Sequence, residues 1–270
     1  MGIETAIALQ DIIGRQRELQ TIVAHIRDRK HLHIHGAEGM GKSALLDRTL
    51  ADWKNIGGPL VPVYSRSSTS LRGTLLNICG VLLMRFKRME SIDKFGKVTK
   101  VSDFNEFREL NIRALKKMAF DYMARDNFCM VLDHLEHVTP RMHAFLTPLY
   151  EQALVITASR QSWVLDDYTF WGNLAYCLYL TPKLSVESLK KKDTFVFMDG
   201  LCGDLNLDIA GKQQVFEEVS YIAKGNMKTI RAIFEKARRP EYLRNNRPNL
   251  KLIMLDLEME SITIEDTTIP

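Results

Sequence analysis

Residues 36–43, Gly-Ala-Glu-Gly-Met-Gly-Lys-Ser, set three glycines, a lysine and a hydroxyl at a spacing suited to holding phosphate. Gly36, Gly39 and Gly41 let the backbone turn so that its N–H groups, running through Met40 to Ala44, point into one anion-binding nest at a helix N-terminus. Lys42 adds a positive charge for the β- and γ-phosphates, and Ser43 offers a hydroxyl to Mg2+. The pattern G-x-x-x-x-G-K-S takes its meaning from context: a short apolar run precedes it and a helical pattern follows. An accidental glycine-rich turn would lack that frame. The stretch is expected to bind a nucleoside triphosphate with Mg2+.

Such a loop needs an acidic partner for the metal at the end of a neighbouring strand. Residues 128–133, FCMVLD, supply it in Asp133. Many P-loop ATPases place a glutamate directly afterwards to polarise the attacking water, but here that position is His134 and the nearest carboxylate is Glu136. Three readings stand open: Glu136 takes the role from a different angle, His134 orients the water, or hydrolysis is slow. Glu136 is equally well read as a solvated loop residue. A little further on, ITASRQS places Thr157, Ser159 and Arg160 where polar groups reach toward the γ-phosphate. An arginine there either meets an anion or forms a salt bridge on the sheet rim.

The elements that must position these residues alternate in type. Runs rich in β-branched residues at 31–35, 60–65, 128–133, 153–158 and 177–180 read as strands, separated by helical patterns, which predicts a parallel sheet with crossover helices. Apolar spacing across 104–126 predicts one long amphipathic helix, and the polar, glycine-containing stretch between Lys87 and Asp103 reads as a flexible surface loop. After Pro182, glycine- and proline-punctuated helical patterns predict a small all-helical domain. The expected organisation is an α/β three-layer P-loop core over 1–182, a helical lid over 183–260 and a flexible acidic tail over 261–270.

On these motifs the chain resembles the AAA+ and STAND branch of P-loop ATPases, including origin-initiator and transposition-regulator ATPases. DIIGRQREL, residues 11–19, is similar to the box that precedes the phosphate loop there, which implies that Ile13, Gly14 and Arg15 lie near the adenine. The resemblance makes Asp133 the Walker B aspartate and TASR, ending in Arg160, a sensor-1 segment. KGNMKTIRAI resembles the start of the sensor-2 helix, with Lys228 at the arginine position and Arg231 one turn on along the same face. Arg and Lys are not equivalent in such a place, so which of the two reports the γ-phosphate stays open. The family's trans-acting arginine finger would come from Arg160, Arg141 or a partner, since residues 161–180 hold no arginine or lysine.

Alternating His31, His33 and His35 share one strand face, yet no carboxylate or cysteine has matching spacing, and they read as core or rim histidines rather than metal ligands. His134 and His137 are read the same way, apart from the water-orienting role left open for His134. The four cysteines are widely separated and read as reduced packing residues, the N-terminal stretch is a poor signal peptide, and no apolar run approaches a membrane span. The expected compartment is the cytoplasm.

The net charge of +4 is unevenly spread. Residues 256–270 carry five acidic and no basic residues, whereas 228–251 carry eight basic against two acidic. Arg238, Arg239, Arg244, Arg247 and Lys251 could meet a DNA backbone, although such a run is also what a solvated helix face looks like. Taken with the family resemblance, which implies ATP bound between core and lid, the expected function is a slow ATPase acting as a nucleotide-controlled oligomerisation switch, a DNA-associated helper of transposition or replication type. The rival is a signalling or scaffold ATPase acting on protein partners without DNA. An inactive nucleotide binder is a further alternative because of His134.

Overall fold

The computed structural model describes residues 12–92, 95, 96, 98–163 and 176–266. They divide into two compact units, one drawn from 15–36 and 42–186, the other from 12–14, 37–41 and 187–266.

The first unit is built on a five-stranded, all-parallel sheet in the order β2-β5-β6-β1-β7, comprising β1 (Leu32–His35), β2 (Val61–Ser65), β5 (Phe128–Leu132), β6 (Leu154–Ser159) and β7 (Lys183–Ser185). Every residue of β5 and β6 is buried, as expected for central parallel strands covered on both faces. Helix α1 (Gln16–Arg27) precedes the first strand, and α2 (Lys42–Ala51), α3 (Trp53–Ile56), α4 (Leu71–Phe86), α5 (Glu106–Glu109), α6 (Ile112–Met123), α7 (Pro140–Gln152) and α8 (Tyr176–Leu180) lie in the crossovers. Leu19, Ile22, Val23 and Ile26 form the buried stripe of α1. Side-chain caps begin several of the others: Ser70 accepts from the Gly73 N–H, Asn111 from Ala114 and Thr139 from Met142, the last with Pro140 directly behind it. One apolar core joins α4, α6 and α7 to β2 and β5 through Leu75, Ile78, Met118, Phe145, Val63 and Met130.

Four local expectations are revised. Residues 177–180 are helical: a four-residue apolar run carries no periodicity that separates strand from helix. Lys183 settles the matter by donating to the Leu178, Tyr179 and Thr181 carbonyls at the end of α8, and the strand comes after Pro182 instead. The sheet thus continues beyond residue 182, where the core was expected to end. Between Lys87 and Asp103 a two-stranded antiparallel hairpin replaces the flexible loop, with β3 (Met89–Ile92) paired to β4 (Val98–Val101). The helix over 104–126 breaks at Leu110, whose extended backbone allows Asn111 to start α6 afresh.

The second unit is helical, with α9 (Lys191–Asp204), α10 (Lys212–Ala223), α11 (Met227–Ala237) and α12 (Leu250–Asp266) around Met198, Phe216, Val219, Ile230, Phe234 and Ile253. A short hairpin, β8 (Leu243–Arg244) and β9 (Arg247–Pro248), turns through Asn245 and Asn246, both with positive φ. Helix α12 carries regular structure to Asp266, into the stretch read as a flexible tail, while 267–270 lie outside the described residues. Among the described residues no helix is long and apolar enough to cross a membrane.

Candidate functional site

Because all five strands run parallel, the loop after β1 and Asp133 after β5 emerge from the same edge of the sheet. Only β6 separates their strands, which sets them roughly 10 Å apart in the hydrogen-bonding direction. Within the loop, Gly39 and Gly41 hold φ of 81° and 90°. These left-handed conformations cost an L-residue energy that glycine avoids. A side chain would also collide: a Cβ at Gly39 would lie 2.1 Å from the Asn226 Oδ1, and one at Gly41 2.1 Å from the Met227 methyl. Helix α2 begins directly at Lys42 and has no acidic residue in its first turn, so the positive end of its dipole is open to an anion. Lys42 is buried and its Nζ donates to the Gly36 carbonyl at 2.6 Å, folding the lysine back along the loop. Ser43 is half-buried and Ala44 exposed on that same turn.

The loop tip, 37–41, is tied down within the second unit by the start of α11. Asn226 caps this helix by accepting from the Thr229 N–H, and its Nδ2 donates to the Glu38 carbonyl at 2.8 Å. Lys228 donates its own N–H to the Gly39 carbonyl at 3.4 Å and pairs its Nζ with the Glu38 carboxylate at 2.5 Å. The resemblance left phosphate sensing open between Lys228 and Arg231; here Lys228 meets the loop's own glutamate. Arg231, one turn on, is exposed. The sequence reading placed Asn226 only at a helix start and gave Glu38 no partner. The Gly-Asn pair before an amphipathic run was the available capping signal.

Asp133 is buried, and both of its oxygens receive donors. The His134 N–H reaches Oδ1 at 2.8 Å and the Tyr64 hydroxyl reaches Oδ2 at 3.2 Å. His134 adopts φ 55°, and its exposed ring keeps Nε2 3.8 Å from Asp133 Oδ2. Glu136 is neither a solvated loop residue nor an open base. It is buried, and its two carboxylate oxygens accept the Arg160 N–H at 3.1 and 2.9 Å, with the Arg160 Nε at 3.4 Å. The reason is topological: Leu135 donates to the Ala158 carbonyl, which keeps the chain after β5 alongside the end of β6.

Thr157 does not reach outward. It is fully buried opposite its register partner His33, whose Nδ1 lies 2.7 Å from the threonine hydroxyl. The His33 Nε2 lies 2.8 Å from the Gln161 carbonyl, which can only accept, so Nε2 carries the proton and Nδ1 accepts from Thr157. Burial drives His33 down to a pKa of about 3, which keeps it neutral. The Ser159 hydroxyl is turned into the same network, donating to the Gln161 carbonyl at 2.9 Å.

Of the box before the loop, Ile13 and Gly14 form a turn, and Arg15 is buried and pairs with Glu18 at 2.8 Å. In the basic segment Arg238, Arg239, Arg244 and Lys251 are exposed, whereas Arg247 pairs with Glu218 at 2.7 Å.

No protein-family model matches the chain, and no curated protein matches its sequence. Solved structures do match its fold. The Walker-type ATPase PABY2304 of Pyrococcus abyssi has a TM-score of 0.59 and 18% identity, over 96% of this chain and 75% of that one. Domain III of the replication initiation protein DnaA from Thermotoga maritima has a TM-score of 0.56 and 14% identity, over 93% and 95% respectively. A DNA replication initiation factor has a TM-score of 0.53 and 16% identity, over 86% and 63%. With its parallel sheet, glycine-rich loop and following helix, the chain shares the α/β fold of these Walker-type ATPase and replication initiation proteins.

Proposed function

We propose that the chain binds ATP with Mg2+ and hydrolyses it slowly, using the bound nucleotide to switch its own self-association. The observation that carries this reading is the glycine loop leading into α2 at the same sheet edge as the buried, doubly held Asp133. In it, loop N–H groups and Lys42 hold the phosphates. Lys42 would exchange its present acceptor, the Gly36 carbonyl, for a phosphate oxygen.

The donor set fits Mg2+. Asp133 and Ser43 offer hard oxygen ligands, and this ion is usually held by one or two carboxylates together with substrate phosphates. Bound there, Mg2+ would neutralise charge on the β- and γ-phosphates. The chain's own contribution is to hold and orient. Glu136 fixes the Arg160 backbone and the base of its guanidinium at the end of β6, where an arginine suits a phosphoryl group. His134, exposed beside Asp133, is the group left to orient water. With Glu136 held by Arg160, no carboxylate stands directly after Asp133 to polarise the attacking water, which is the ground for slow turnover. Arg160, Arg141 or a partner would complete the site in an assembly.

We place the protein in the cytoplasm as a DNA-associated helper ATPase. The exposed Arg238, Arg239, Arg244 and Lys251 support this reading, as does the fold shared with replication initiation proteins. The pairing of Arg247 with Glu218 favours the rival, a scaffold ATPase with protein partners, because it withdraws one cation from the proposed surface. Nucleotide binding followed by sedimentation with an ATP analogue, with ADP and without nucleotide tests the switch. Larger species with the analogue are expected, and identical sedimentation in all three states would overturn it.

A further inference from the structure

We propose that Tyr64 is a positioning residue for the metal-binding carboxylate, its hydroxyl fixing the rotamer in which Asp133 meets Mg2+. The inference rests on the reading of Asp133 as a Mg2+ ligand and adds a residue that no motif marks.

Asp133 has only a local bond on Oδ1, from the N–H of the next residue. Its other oxygen is set from a different strand, by Tyr64 on β2 at 3.2 Å. Strands β2 and β5 are held in register up to this point: Tyr64 faces Val131, Ser65 faces Leu132, and the ladder runs on as Asp133 donates to the Ser65 carbonyl at 3.0 Å. The Ser68 N–H then returns to the Asp133 carbonyl at 2.8 Å. The phenol therefore meets a carboxylate whose backbone is held by its own strand. An ionised carboxylate oxygen has two acceptor sites, so Tyr64 occupies one on Oδ2 and leaves another for a metal or its water.

Tyr64 is itself supported. The Arg66 guanidinium lies over its ring, 5.1 Å from the centroid, and pairs with Asp47 at 2.9 and 3.4 Å. Asp47 stands four residues after Ser43 on α2, on the same helix face. A continuous set of contacts thus joins the helix carrying the hydroxyl ligand to the strand end carrying the carboxylate ligand. Outer-shell donors of this kind orient ligands without touching the metal.

The test measures binding of a fluorescent ATP analogue across a Mg2+ titration and in EDTA, for wild type, Tyr64→Phe and Asp133→Asn. Tyr64→Phe is expected to raise the Mg2+ concentration needed for half-maximal enhancement by about 10–100-fold, while EDTA-state affinity and thermal unfolding stay near wild type. Wild-type Mg2+ dependence in Tyr64→Phe, with Asp133→Asn impaired, would overturn the role of Tyr64 alone. An equal loss in EDTA would make Tyr64 a general structural residue and overturn the role as well. If Asp133→Asn keeps the wild-type Mg2+ dependence, the reading of Asp133 falls, and the role of Tyr64 falls with it.

Discussion

Both carboxylate oxygens of Glu136 close on the backbone N–H of Arg160, joining the turn after β5 to the end of β6. If this is the function of Glu136, its charge matters less than its ability to accept. Glu136→Gln is expected to keep ATP turnover within about tenfold of wild type. A general base removed in the same way would cost on the order of 100-fold or more. Glu136→Ala, which orphans the N–H, should lower unfolding stability by about 1–3 kcal/mol. Phosphate release and urea unfolding read the two effects separately.

His33 makes stability depend on pH in a definite direction. Its folded-state pKa, about 3, lies below the ordinary value of 6.5 because burial disfavours the charged ring. Between these values the unfolded chain binds a proton that the folded chain refuses. Stability is therefore full above about pH 6.5 and falls as pH drops toward 3, by roughly 1.4 kcal/mol per unit for this group. His33→Gln removes that titration. The unfolding free energy of the variant should change less steeply between pH 6.5 and 4, by about one proton's worth.

The ion pair of Glu38 and Lys228 is largely exposed, and exposed pairs contribute little to folding. Glu38→Gln should leave the melting temperature almost unchanged while freeing Lys228 for a phosphate. ATP affinity should rise by a few fold with ADP affinity unmoved. Lys228→Ala should erase most of the preference for ATP over ADP, about tenfold. Equal effects on both nucleotides would show that Lys228 does not read the γ-phosphate.

DNA contacts in the basic segment have a salt signature. Each cation that meets a phosphate contributes roughly 0.9 to the slope of log affinity against log salt. Arg238→Ala, Arg239→Ala and Arg244→Ala should each weaken duplex binding uniformly across sequences and lower the slope by about one. Arg247→Ala, already paired with Glu218, should change it less. Absence of binding at low salt, with ATP present, would remove DNA from the account and leave the protein-partner reading.

The parts of the fold that were legible in the sequence rest on local physics. Gly36 to Ser43, the strand before them and the apolar run ending in Asp133 each carry their own signal, and the structure brings them to one sheet edge. Side-chain partners that lie far apart in sequence carried none. Nothing in FCMVLDHLEHV says that Glu136 will meet Arg160 rather than water, because that follows from the pairing of Leu135 with Ala158. Tyr64 was equally hidden, since its role exists only in the β2–β5 register. Thr157 was misjudged for the converse reason: its neighbour across the sheet, His33, claims the hydroxyl. The short run at 177–180 failed on length, and the break at Leu110 was masked by apolar spacing that continued across it.

The left-handed backbone of His134 bears on how this site could change over generations. Histidine tolerates such a conformation better than most residues, whereas an ordinary side chain there carries strain on the order of 1–2 kcal/mol. A glutamate at position 134 would either carry that strain or relax the turn that presents its N–H to Asp133. A base gained at this corner by His134→Glu would therefore come at a cost in local backbone strain, set by the turn after β5.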